Sequence, residues 1–66
     1  MGFRLREVRE AKGMSQEELE KASGISRQTI SAIENGKTTS VMSGTLVALA
    51  RALDTTVDKI FFDEGV

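Results

Sequence analysis

The chain has 66 residues and a formal net charge of −1, and it contains neither cysteine nor histidine. That length makes one domain, residues 1–66, with a core small enough that dimerisation would add to its stability. The composition excludes disulfides, thiolate or imidazole metal sites and most acid–base catalysis near neutral pH, and no apolar run approaches membrane-spanning length, so no enzyme, cofactor or membrane partner is expected and the expected compartment is the cytoplasm.

The first predicted helix covers about residues 3–12, with Leu5, Val8 and Arg9 inward and Gly13 as its stop. It is locally basic, since Arg4, Arg6, Arg9 and Lys12 stand against Glu7 and Glu10. The second helix starts at Ser15. Ser15 and Glu18 have the spacing of a capping box, and Met14 is placed to staple onto Leu19. The third starts at Ser26, with Ile25 and Ile30 as an equivalent staple. It stops at Asn35-Gly36, because glycine takes the left-handed conformation that ends a helix. Lys37 to Met42 read as a polar loop.

Ser43 is the expected cap of a fourth helix, with Met42 and Val47 as a third staple and Leu46, Leu49, Ala50 and Leu53 on one face. Asp54 interrupts it. A short fifth helix is predicted from about Thr56 to Phe61, with Asp58 in its first turn, where the helix dipole favours a carboxylate. The last residues are expected to fray. No segment alternates as a strand, although Ile60-Phe61-Phe62 could extend. From Asp54 onward Asp54, Asp58, Asp63 and Glu64 stand against Lys59 alone. The charge is thus polarised, and for phosphate binding the local basic face counts more than the total.

Function is written mainly in the stretch from Ser15 to Lys37. Leu19, the turn at Gly24-Ile25, and Ile30 with Ile33 at helical spacing are the pattern of a helix-turn-helix unit, about residues 15–35, whose second helix enters the DNA major groove. The outward residues of that helix are Arg27, Gln28, Ser31 and Ala32. Arginine pairs bidentately with guanine, glutamine does so with adenine, and an alanine can meet a thymine methyl. Thr29 offers a methyl or a hydroxyl. These five are the candidate base contacts, against the plain alternative of a solvated helix face. Ser26 caps its helix and, at a helix N-terminus, is placed against a phosphate.

The ordered set of markers resembles the DNA-binding domain of the lambdoid phage repressor and Cro (Xre) family. The set is Leu5-x-x-Val8-Arg9, Ser15-Gln16-x-x-Leu19, Gly24-Ile25-Ser26, Ile30, Ile33-Glu34-Asn35-Gly36-Lys37, Leu46, Ala50, Ala52-Leu53 and Val57-Asp58-x-Ile60-Phe61. It covers nearly the whole chain and is closest to the small stand-alone regulators of that family. The resemblance implies an all-α, five-helix lambda-repressor-like domain that binds an inverted-repeat operator in double-stranded DNA as a homodimer and regulates transcription, with no small-molecule cofactor. It implies that Gln16 bonds a phosphate, and that Arg9 and Glu34 form a partly buried structural ion pair. Ser26, Asn35, Lys37, Thr38 and Thr39 join Gln16 as expected phosphate contacts. Three departures stand out. Glu20 occupies a position where the family has a small residue, so the helix packing opens there or the side chain swings out. Asp54 replaces a frequent glycine. The loop after Lys37 is longer and lacks a proline.

Other readings weigh less. Gly36-Lys37-Thr38 ends like a phosphate-binding loop, but the required glycine five positions before Gly36 is Ser31. Glu17, Glu18 and Glu20 point different ways around a helix start and read as solvated. Ile60, Phe61 and Phe62 are consecutive and cannot all face inward on a helix, so they are the expected dimer interface, with Phe61 closing the core and Phe62 facing a partner. A protein-interaction adaptor with the same fold, or an antitoxin that also binds DNA, are the competing functions.

Overall fold

The second and third helices start at serine caps, Ser15 and Ser26, and the apolar stripes of all five helices converge on one core. The computed structural model describes residues 2–37 and 41–62, for Phe61 and Phe62 the backbone alone. Its element order is β1 (Gly2–Phe3), α1 (Leu5–Ala11), α2 (Gln16–Ser23), α3 (Arg27–Glu34), α4 (Ser43–Ala52), α5 (Val57–Ile60) and β2 (Phe61–Phe62). All five helices contribute to the core: Leu5 from α1, Leu19 from α2, Ile30 and Ile33 from α3, Leu49 and Ala50 from α4 with Leu53 at its end, and Ile60 from α5 are buried together. Truncating one of the larger of these to alanine costs about 2–5 kcal/mol.

The connection between α2 and α3 sets the angle of the helix-turn-helix. Ser15 Oγ accepts the Glu18 N–H at 3.0 Å and Glu18 Oε1 accepts the Ser15 N–H at 2.9 Å, so both halves of the capping box form. The backbone hydrogen bond from Ser15 is the main cause holding Glu18 below its ordinary pKa. At the other end Gly24 takes φ 76 and its N–H reaches the Glu20 carbonyl at 2.9 Å. A Cβ there would meet nothing within 4 Å, so glycine is required by backbone conformation and not by space. Ser23 Oγ donates to the Leu19 carbonyl at 2.7 Å and accepts the Ile25 N–H at 3.1 Å, which closes the turn.

Helix packing follows from the stripes. The second helix packs on α3 and α4, α5 packs on α4 and α1, and α1 also touches α3. Met14 and Ile25 pack against the core as half-buried side chains at the expected helix starts. The third helix is thereby held from behind by Ile30 and Ile33, and its opposite face is left outward.

Several expectations are corrected at the element ends. Phe3, the expected start of α1, lies outside the helix: Gly2 and Phe3 pair antiparallel with the segment after α5, Gly2 opposite Phe62 and Phe3 opposite Phe61. The Arg4 N–H adds a bond to the Ile60 carbonyl. The sequence offers Ile60-Phe61-Phe62 as extended chain, and β1 supplies the backbone partner that makes a strand of Phe61–Phe62. Ile60 is fully buried in the domain's own core, so its side chain is not available to a dimer partner. The expected dimer contacts of Phe61 and Phe62 concern side chains outside the described residues, as do the fraying of residues 63–66 and the contacts of Thr38 and Thr39. The cap of α4 is Met42, with no side-chain cap bond, and Ser43 is the first helical residue. Met42 is 77% exposed, so no Met42–Val47 staple buries it. Asp54 takes φ 52 and ends α4 in the left-handed region, where glycine would be unstrained.

Candidate nucleic-acid interface

A junction of polar side chains from three helices, α1, α2 and α3, stands behind the outward face of α3, centred on one carboxylate. Glu34 at the end of α3 has a side chain with no exposure. Its oxygens accept from Arg9 Nε at 2.7 Å, Arg9 Nη2 at 3.2 Å and Gln16 Nε2 at 3.0 Å, with Arg6 Nε at 3.5 Å. Arg9 also donates Nη1 to the Met14 carbonyl at 2.8 Å. Burial alone would raise the Glu34 pKa, but the hydrogen bonds from Arg9 and Gln16 and the Arg9 charge hold it below the ordinary glutamate value. Arg9 is in turn held above its ordinary value, chiefly by its hydrogen bond to Glu34. A buried carboxylate so fully satisfied fixes geometry, because removing either partner strands the other.

From this junction the network reaches the surface. Arg6, half-exposed, donates Nη2 to Asn35 Oδ1 at 2.9 Å, and Asn35 Nδ2 donates to Ser31 Oγ at 3.1 Å. Arg6 therefore ties α1 to two residues expected at the DNA. In the sequence Arg6 stands out only as one member of a basic run. Its place three residues before Arg9, on the same helix face, was the available signal.

The outward face of α3 is built from the remaining side chains. Gln16, Arg27, Gln28, Ser31, Ala32 and Lys37 line one open depression of about 450 Å³. The structure thus brings together four of the five expected base contacts and two expected phosphate contacts. Arg27 and Gln28 are exposed, while Ser31 and Ala32 are half-buried one turn further on. Thr29 stands to one side, on a second depression with Gln28, Ala32 and Met42 among its walls. Its hydroxyl accepts from Ser26 Oγ at 2.9 Å, and its N–H donates to the same Ser26 Oγ at 3.2 Å. Ser26 is thus committed to the cap, and a phosphate would have to draw its proton away from Thr29. Lys37 has no ion-pair partner among the described residues, whereas Lys21 pairs with Glu17 at 3.4 Å.

Glu20 turns out to reach across the turn. Its Oε2 accepts the Arg27 N–H at 2.9 Å, so α2 caps the start of α3. Glu20 is thus neither solvated nor turned away from α3: it is half-buried and its carboxylate stays at the contact between the two helices.

A bundle of this shape carrying an exposed Arg-Gln pair on its third helix matches a known pattern along most of its length. The helix-turn-helix family model covers residues 5–60. The chain belongs to that family. It is a DNA-binding transcriptional regulator of the repressor and Cro type, with the lambda-repressor-like arrangement of five helices. The crystal structure of a restriction-modification controller protein from Aeromonas hydrophila is similar to it, at 41% identity and a TM-score of 0.80, over 88% of this chain and 86% of that one. No curated protein sequence matches it. Among the described residues no group of three acidic side chains could hold a metal ion, and no helix is long and apolar enough to cross a membrane.

Proposed function

We propose that this regulator binds an inverted-repeat operator as a homodimer in the cytoplasm and represses transcription by occupying a promoter. The observation that carries the reading is the single depression that joins Arg27, Gln28, Ser31 and Ala32 on α3 with Gln16 and Lys37. Arg27 and Gln28 sit in the first turn of a helix anchored from behind, so they lead into a major groove and read base edges, with Thr29, Ser31 and Ala32 as shorter-range contacts. Lys37, Gln16 and Asn35 meet phosphates on either side and fix the register, and Thr38 and Thr39 extend that contact. Ser26 is left out of these contacts, because its hydroxyl donates to Thr29 and the Glu20 carboxylate holds the first amide of α3 beside it.

One recognition helix reads too few base pairs for tight binding, and two helices on a two-fold axis double the contacts. Half-sites then lie about one turn of duplex, ~34 Å, apart. Phe61 and Phe62 are the proposed contact between subunits. The similarity to a restriction-modification controller favours one setting, the genes of a restriction-modification system.

Selection of bound sequences from a random duplex pool, followed by footprinting at several salt concentrations, tests the reading. The expected result is an inverted repeat protected on one face of the duplex, with affinity falling steeply as salt rises. A protein that enriches no sequence, or that protects a single half-site with no symmetry mate, refutes it.

A further inference from the structure

We propose that Glu20 is a specificity-determining residue that reads a base presenting an exocyclic amino group in the major groove. The proposal rests on α3 entering that groove. One oxygen of Glu20 is fixed, since Oε2 accepts the Arg27 N–H at 2.9 Å. The other has no hydrogen-bond partner, and no cation pairs with the carboxylate, among the described residues. Glu20 is half-buried and shares the wall of an open depression with Arg27 and Gln28, the two leading side chains of the recognition helix.

A carboxylate in that place repels the phosphates that approach it. It also holds the first amide of α3, the position a phosphate would otherwise take at a helix N-terminus. The contact becomes favourable only where the DNA supplies a hydrogen-bond donor. On the floor of the major groove the donors are the amino groups of cytosine N4 and adenine N6. Glu20 therefore penalises binding in every register except one that sets such an amino group against its free oxygen. The fixed oxygen keeps the side chain in place, so little rotamer freedom is lost on reading.

The test compares the wild-type chain with Glu20→Ala and Glu20→Gln. Each is put through selection from a random duplex pool, and all four bases are then placed in turn at every selected position. The wild type is expected to restrict one position per half-site to cytosine or to adenine by roughly tenfold, with the four-way series telling which. Glu20→Ala should lose that restriction while the positions read by Arg27 and Gln28 keep theirs. Glu20→Gln keeps a carbonyl for the Arg27 N–H and should melt like the wild type. Its amide adds a donor, so it should also tolerate guanine or thymine at that position. An unchanged motif in both variants overturns the proposal. An even weakening at every position overturns it too, because Glu20 would then act only by holding the start of α3. A wild type that selects no sequence refutes operator binding itself.

Discussion

Replacing Glu34 by alanine tests whether the buried junction holds the recognition helix. The change removes the acceptor of Arg9 Nε and Nη2 and of Gln16 Nε2. Gln16 is half-buried and can turn to water. Arg9 cannot, since its side chain is only 11% exposed and keeps one protein acceptor, the Met14 carbonyl. Stranding a buried charge costs about 3–5 kcal/mol, and the retained Met14 bond places this case near the lower end, about 3 kcal/mol. For a domain of this size each kcal/mol is worth roughly 4–8 °C, so the melting temperature should drop by more than ~10 °C. Urea denaturation at constant slope measures the same loss. The double variant Arg9→Met with Glu34→Leu removes both charges together and should recover most of it. A Glu34→Ala protein with a wild-type urea midpoint would refute the reasoning, as would a double variant no better than the single one. The pH dependence supplies a second check. Glu34 is held below its ordinary pKa when folded, so its contribution is complete above the unfolded value of about 4.3 and is lost as the pH falls through the lower folded value. The double variant should lack that share of the acid destabilisation.

Other outcomes follow from the outward face and the chain ends. Gln28→Ala should relax base preference at one position per half-site by about 1–3 kcal/mol, measured by competition between operator variants, whereas Lys37→Ala should weaken all sequences about equally and reduce the salt slope by ~1 per half-site. Asp54→Gly should stabilise the fold by about 0.5–1 kcal/mol in urea titrations, because Asp54 sits at φ 52. Phe62→Glu should leave a folded monomer by light scattering with sharply reduced operator affinity, and an unchanged dimer would remove Phe62 from the interface.

The helices were legible because their signals are local. Ser15 with Glu18, Ser26, and glycines at 24 and 36 mark starts and stops, and leucine and isoleucine spacing marks the buried face. At α4 the signal misleads, since serine is a strong cap by type, yet the helix begins one residue earlier, with Met42 as its cap. The pairing of Gly2–Phe3 with Phe61–Phe62 was not legible as a whole. Two strands of two residues carry no alternation, and their partnership spans nearly the full chain. At the interface Arg27 and Gln28 were visible from their place after the turn. The roles of Arg6 and Glu20 were not, since each depends on a partner in another helix, Asn35 and the Arg27 amide.

That short pairing makes the backbone into a closed circuit. With Gly2 bonded opposite Phe62, the chain between them is a loop whose two feet are clamped together, and α1 and α5 lean on each other beside the clamp. Damage at one foot is therefore transmitted to the other. Removing the clamped residues at the start would free the strand after α5 and loosen Ile60 from beneath the core, although no residue of α5 had been touched. In amide exchange, the Arg4 N–H that reaches Ile60 should open together with the strand amides at both feet, as a single unit.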